Sequence, residues 1–221
     1  MDLSGAESLV LCRVAFQGER GAFGELAIRS YWGATAEPVA TRTFDDVVTM
    51  VGEGRTAFGV VPVWNSTMGE VKAGRSAVAC RGSGIAIVGQ VEVPVRHCLL
   101  ALPGVAIDEL RVVASHPAAI EQCTAFFTRH DWLSARVAFD TAGAARELAC
   151  LGGRVAADEG KTPDSPWYTS ALARHPRTLG AIASAEAAAH YGLAVLAEGI
   201  QNDATNLTRF VILQQSGVVN R

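Results

Sequence analysis

Short runs of β-branched and apolar residues alternate along the chain with alanine-rich stretches of helical periodicity. The pattern predicts a strand over 10–16, a helix over 22–32, a second helix over 44–52 and a strand over 57–63. A long, mostly extended segment follows at 85–102. The alternation then restarts with a strand over 111–115, a helix over 117–128, a strand over 135–140 and a helix over 142–151. The closing segments predict a strand at 180–183, a helix at 185–191 and strands at 194–198 and 207–214. Two similar blocks of alternating strands and helices predict an α/β protein of two lobes. The extended stretch is the crossover such a chain needs to pass between lobes and later return, leaving a hinge and a ligand-binding cleft. The expected division is residues 10–95 with 190–217 in the first lobe and 96–189 in the second. Residues 153–179 break the pattern and read as an insert with at most a short helix at 169–173: a lid, a partner surface or a disordered stretch.

Composition narrows the class. At 221 residues, 49% apolar and 19% charged, the chain is long enough for a real core, which excludes disorder and coiled coil. A net charge of −3 argues against nucleic acid and anionic membrane as partners. The five cysteines are odd in number and form no C-x-x-C pair, so neither a disulfide framework nor a zinc site is expected. With no long apolar run and no recognisable leader, a cytoplasmic protein is the default.

Candidate chemistry sits where strands run into helices. Gly18, Gly21 and Gly24 form G-x-x-G-x-x-G after the first strand, either a backbone cradle for a carboxylate or phosphate around Gly21 and Ala22, or simply a tight turn. The spacing is not the dinucleotide fingerprint, and no Walker lysine follows. Asn65, Ser66 and Thr67 follow a strand directly and suit either carboxylate binding or helix capping. Thr141, Ala142 and Gly143 open another helix, with Thr141 either capping it or binding an anion. In the last strand, period-two alternation places Thr208 and Phe210 on one face and Arg209 on the other. Histidines 97, 116, 130, 175 and 190 lack ligand spacing, and no nucleophile elbow or paired carboxylates appear. Taken alone, these residues describe a bilobal protein that binds a small anion.

Read in order, the motifs VAFQGERGAF (14–23), GVVPVWNSTMGEV (59–71), IVGQVEVPVRHCLLALPG (87–104), SHPAAIEQC (115–123), DTAGAA (140–145), YGLAVLAEGIQ (191–201) and NLTRF (206–210) resemble the catalytic domain of the prephenate dehydratase family, which includes the arogenate dehydratases. The resemblance implies a two-lobed, type II periplasmic-binding-protein-like α/β fold with its active site in the interlobe cleft. It implies conversion of prephenate to phenylpyruvate with loss of water and carbon dioxide, in phenylalanine biosynthesis. Thr208 matches the family's essential threonine, whose hydroxyl assists departure of the ring hydroxyl. Asn65, Ser66, Thr67, Gly21, Ala22, Thr141, Ala142, Gly143, Arg209 and Phe210 are the implied substrate-binding set, with Arg209 either pairing with a carboxylate or bracing the loop that bears the threonine. No metal or organic cofactor is expected, and a homodimer or higher homo-oligomer is.

The chain departs from the family pattern at Trp64 and Met68, where the family carries glutamates, and at Gly24 and Ala118. These changes predict a more apolar cleft. The chain also stops at Arg221, soon after the last strand, so no ACT regulatory domain and no phenylalanine feedback through one are expected. The alternatives are an arogenate dehydratase, a non-aromatising prephenate decarboxylase and a non-catalytic prephenate-binding module.

Overall fold

The computed structural model describes residues 12–82, 84–154 and 170–217. Most of the expected insert, 155–169, lies outside the described residues, as do residues 10 and 11 of the first expected strand.

The first lobe is a mixed sheet of order β2-β1-β3-β11-β5: β1 (Cys12–Gln17), β2 (Ala36–Thr41), β3 (Phe58–Asn65), β5 (Ile85–Pro94) and β11 (Leu207–Gln215), with β4 (Gly69–Glu70) hooked onto β3. β1, β2 and β3 run parallel, while β11 is antiparallel to both its neighbours. Val14, Ala15 and Phe16 are wholly buried, as befits a central strand covered on both faces. Helix α1 (Phe23–Trp32) covers one face; α2 (Phe44–Gly52) and α3 (Lys72–Ala79) cover the other.

The second lobe has the order β10-β6-β9-β7-β8, built from β6 (Cys98–Ala101), β7 (Val112–Ser115), β8 (Ser134–Val137), β9 (Leu179–Ala183) and β10 (Ala194–Ala197). Its helices are α4 (Pro117–Gln122), α5 (Thr124–Arg129), α6 (Thr141–Leu151), α7 (Ser170–Ala173) and α8 (Ala185–Tyr191). Two sheets joined by two extended crossovers make the expected two-lobed α/β arrangement.

Several elements differ from the sequence reading. The 85–102 segment is two strands in two different sheets, β5 and β6, broken at 95–97 where the chain changes lobe. The expected return to the first lobe at 190 falls later, because β10 still pairs with β6 and only 198–206 cross back. Helix 117–128 breaks at Cys123. The sequence reading passed over β2, whose proline weakens a strand signal but is tolerated on this edge, and over α3, whose glycine lowers helical propensity.

Gly74 sits in α3 because the helix lies directly on β3: a Cβ there would stand 1.9 Å from the Pro62 carbonyl oxygen. Gly21 is the interlobe counterpart. At φ +82° it adopts a conformation that favours glycine, and a Cβ would meet the Ala187 backbone of α8 at 2.4 Å. The Ser184 hydroxyl donates to the Gly21 carbonyl at 2.6 Å and accepts from Ala187 N–H, so one group caps α8 and ties the lobes together.

Gly74→Ala forces α3 off the sheet and is expected to cost about 1–3 kcal/mol, the usual range for overpacking. Urea unfolding of the variant checks this as a lowered midpoint at unchanged slope.

Candidate functional site

A cleft of about 670 Å³ opens between the lobes at the carboxyl ends of β1, β3 and β7, and it collects the N-terminal residues of α1, α2, α3, α4 and α6. Aligned peptide dipoles make each such end a region of positive potential with N–H groups outward. Local sequence puts them there. Thr43 and Asp46 form a reciprocal capping box on α2, Pro117 follows the His116 cap of α4, and Asp140 caps α6 through Gly143 N–H. Arg42 and Lys72 add cationic side chains to the same wall. Asp45 and Asp140 stand in the same lining, so the positive character of the cleft rests on the helix ends more than on net side-chain charge.

At its floor, β3 and β11 pair antiparallel with Asn65 opposite Thr208. The buried Asn65 side chain is held from both ends. Its Oδ1 accepts from the backbone N–H of Thr67 at 3.0 Å and of Met68 at 2.9 Å. Its Nδ2 faces Thr208 Oγ1 at 2.9 Å, the Leu207 carbonyl at 3.0 Å and Asn206 Oδ1 at 2.8 Å. Because Thr208 Oγ1 accepts from Asn65, the threonine's own proton remains for a partner in the cleft. Phe210, two residues along the same face, is buried against Ala27 and Val93 and forms an apolar wall.

Of the implied site residues, the catalytic Thr208 and the substrate-binding Ala22, Asn65, Thr141 and Phe210 line the cleft. The others do not. Gly21 N–H is taken by the Glu25 carboxylate at 2.9 Å and Ala22 N–H by the Glu19 carbonyl, so the glycine loop is an internally satisfied turn rather than an anion cradle. Ser66 accepts from Leu207 N–H and donates to Asn206, and the exposed Thr67 contributes a backbone amide to Asn65. Ala142 is fully buried and Gly143 N–H belongs to Asp140, which is the α6 cap in place of Thr141. Arg209 points away from the cleft. It pairs with Glu92 across β5 at 2.8 Å and lies over the Trp64 ring at 5.3 Å, so it braces the strand that carries Thr208. Trp64 accordingly does not make the cleft more apolar; Met68, Gly24 and Ala118 do line it.

The sequence reading missed His97, Gln122 and Asn206. Asn206 Nδ2 donates to Gln122 Oε1 at 2.9 Å, and the same oxygen lies 2.9 Å from His97 Nε2. His97 and Gln122 are at the cleft wall, while Asn206 is buried beside it. Burial pushes the His97 pKa down against the opposing hydrogen bond to Gln122, which leaves the ring neutral at pH 7. Burial, reinforced by the Glu19 charge, pushes the Asp140 carboxyl up even though the Gly143 and Ala142 amides favour its ionised form. A neutral histidine is a poor sequence signal; its place at the 95–97 lobe change was the only hint.

A larger cavity of about 1040 Å³ lies behind the hinge between α1 and α8, and Gly21 faces it. Its charges largely neutralise one another: Glu25 pairs with Arg29, and Glu186 and Glu198 share the wall with Arg96. No group of ≥ 3 metal-ligating side chains occurs among the described residues, and no described helix is long and apolar enough to cross a membrane.

The chain belongs to the prephenate dehydratase family, whose model matches residues 14–217. It is 37% identical over 210 residues to arogenate dehydratase 1 of Petunia hybrida, covering 95% of this chain and 43% of that protein. It is 35% identical to arogenate dehydratase/prephenate dehydratase 2, chloroplastic, of Arabidopsis thaliana, covering 94% of this chain and 47% of the relative. The chain thus spans under half the length of these curated relatives. Among solved structures it matches a prephenate dehydratase from Arthrobacter aurescens in complex with L-Phe at 26% identity and TM-score 0.74, over 95% of this chain and 66% of that one. It matches GqqA, described as a novel type of quorum quenching acylase, at 28% identity and TM-score 0.75, with the same coverage.

Two outcomes follow from these contacts. Burial alone would raise the Glu25 pKa, but hydrogen bonds from Arg20 and Gly21 and the charges of Arg20 and Arg29 outweigh it and hold the carboxyl below its ordinary value. Its stabilising contribution is therefore present above the unfolded-state glutamate pKa and is lost as pH falls through the lower folded value. Glu25→Gln should flatten that part of the stability-versus-pH curve, measured by urea titration across the acid range. Separately, Arg209→Gln and Glu92→Gln should behave alike, each lowering stability by no more than about 1 kcal/mol, as for an exposed pair. A tenfold rise in KM confined to Arg209→Gln would instead mark it as a substrate ligand.

Proposed function

We propose that the cleft is the active site of a prephenate or arogenate dehydratase, a carbon–oxygen lyase that expels carbon dioxide and the ring hydroxyl together. The observation that carries this reading is the Thr208 hydroxyl, fixed as an acceptor by Asn65 and left with one proton for the cleft. As the carbon–carboxylate bond breaks, its electron pair moves through the ring and expels the oxygen at the opposite carbon. Negative charge builds on that oxygen, which the Thr208 hydrogen bond stabilises and which takes up a proton to leave as water. Aromatisation drives the step, so no strong base is needed. The helix N-termini, Arg42 and Lys72 suit the two carboxylates, and Phe210 with Met68 keeps water from the reacting face.

An acyl-transfer reading suits the floor less well. A nucleophilic hydroxyl needs a neighbour that accepts its proton; the Asn65 amide nitrogen beside Thr208 can only donate. The non-aromatising decarboxylase has no use for a hydroxyl donor at Thr208. The five unpaired cysteines support a reducing compartment such as the cytoplasm. A homodimer is part of the proposal, supported by the exposed Ile87 and Val88 on edge strand β5.

Purified protein incubated with prephenate, and separately with arogenate, is expected to yield phenylpyruvate or phenylalanine, identified by mass and ultraviolet spectrum. Thr208→Ala should lower kcat by about 10²–10³-fold, the usual loss of one oxyanion donor, with KM nearly unchanged. A decarboxylated product that keeps its hydroxyl, or binding without turnover, overturns the dehydratase reading.

A further inference from the structure

The hydrogen-bond polarity of the cleft floor is fixed, atom by atom, by groups that cannot be reversed. The two backbone amides on Asn65 Oδ1 set that side chain's orientation, so its Nδ2 is the donor facing Asn206. Asn206 must then present Oδ1 to Asn65. Ser66 agrees: its oxygen accepts from Leu207 N–H at 2.9 Å, leaving its proton to point at the same Asn206 oxygen. Asn206 Nδ2 is consequently the donor to Gln122, whose facing atom is Oε1. His97 Nε2, 2.9 Å from that oxygen, must carry the hydrogen. A neutral imidazole holds only one, so Nδ1 is a bare acceptor.

That acceptor has no partner among the described residues and is itself closed to solvent, on a side chain only 3% exposed, so a ligand group reaches it only as the cleft wall shifts around it. A buried, unmatched acceptor is costly, and His97 is part of the cleft wall, packed in a T-shaped contact with Phe23 with ring centroids 5.5 Å apart. Asn65, Ser66 and Asn206 are paired with one another, with Leu207 and with Gln122 Oε1. We infer that His97 Nδ1 is a binding group for the molecule in the cleft, accepting one hydrogen from its hydroxyl or its ammonium group, while Thr208 supplies the complementary donor. This deepens the dehydratase reading and rests on it. A keto acid of the prephenate type carries one such hydrogen, on the ring hydroxyl; its amino counterpart carries ammonium hydrogens as well. His97 then either seats the departing hydroxyl or selects the amino side chain.

Two substitutions separate this role from support of the network. A glutamine amide nitrogen can reach the place of Nε2 and still donate to Gln122, without an acceptor at Nδ1. An asparagine oxygen can stand near Nδ1 without reaching Gln122. His97→Gln is expected to unfold near the wild-type urea midpoint yet raise KM at least tenfold, whereas His97→Asn, which restores the acceptor, loses stability and raises KM less than His97→Gln does. A rise shared by prephenate and arogenate assigns the hydrogen to the hydroxyl, and one confined to arogenate assigns it to the ammonium; both support the inference. Unchanged KM for both substrates in His97→Gln overturns it. Nitrogen-15 spectra of the labelled ring give a readout independent of turnover: Nδ1 must be unprotonated in the free protein and move upfield with saturating substrate on Thr208→Ala. Protonation at Nδ1 in the free protein also overturns the inference, while wild type that turns over neither substrate would sink the dehydratase reading alone.

Discussion

The antiparallel pairing of Asn65 with Thr208 is the contact on which the rest of the site depends. Asn65 ends the third strand of the first sheet, and Thr208 stands at the start of the strand that returns from the second lobe. Their hydrogen bond therefore closes a loop of more than half the chain. Asn206 and Gln122 extend the same network into the second lobe, and His97 ties in the outgoing crossover. Each buried amide left without its partner would cost about 1–3 kcal/mol. The network thus acts as a unit that fixes where the crossovers meet, and with them the hydroxyl at the cleft floor.

The other side of the cleft is organised by dipoles more than by full charges. Helix N-termini from both lobes face one volume; of the acidic residues among them Asp45 lines the cleft, while two others are engaged by their own helices. Asp46 serves the capping box of α2, and Asp140 accepts Gly143 N–H on α6. A carboxylate engaged by its own helix repels an anionic ligand less than a free one. For the proposed dicarboxylate substrate, the electrostatic match then comes from backbone geometry, with Arg42 and Lys72 set against Asp45 in the same lining.

The two-lobed α/β class and the hinge segment were legible because hydrophobic periodicity carries both. The sorting of motif residues into binding and support was not. Ser66, Thr67 and Arg209 fall within motif segments yet hold up Asn65, Asn206 and the Thr208 strand, and sequence spacing cannot distinguish a residue that touches a ligand from one that positions its neighbour. Trp64 is the clearest case: as a departure from the family it suggested altered chemistry, but strand alternation puts it on the outer face under Arg209. The placement of β10 was hidden for a different reason, since a short strand of partly exposed residues carries no label of the sheet it joins.

What the cleft floor lacks is as informative as what it holds. Thr208 is fixed by a donor, not a base, and the nearby histidine is buried and kept neutral. Such a floor can orient and polarise but is poorly suited to pulling a proton from carbon or activating a nucleophile. The proposed reaction draws its driving force from the substrate, where breaking one carbon–carbon bond completes an aromatic ring, and needs only that the two departing groups be held and the developing oxyanion be met by a hydrogen. A donor at Thr208, an acceptor at His97 and positive helix ends around them supply that, and they explain why the rigidity of the amide network matters more here than the acidity of any single side chain.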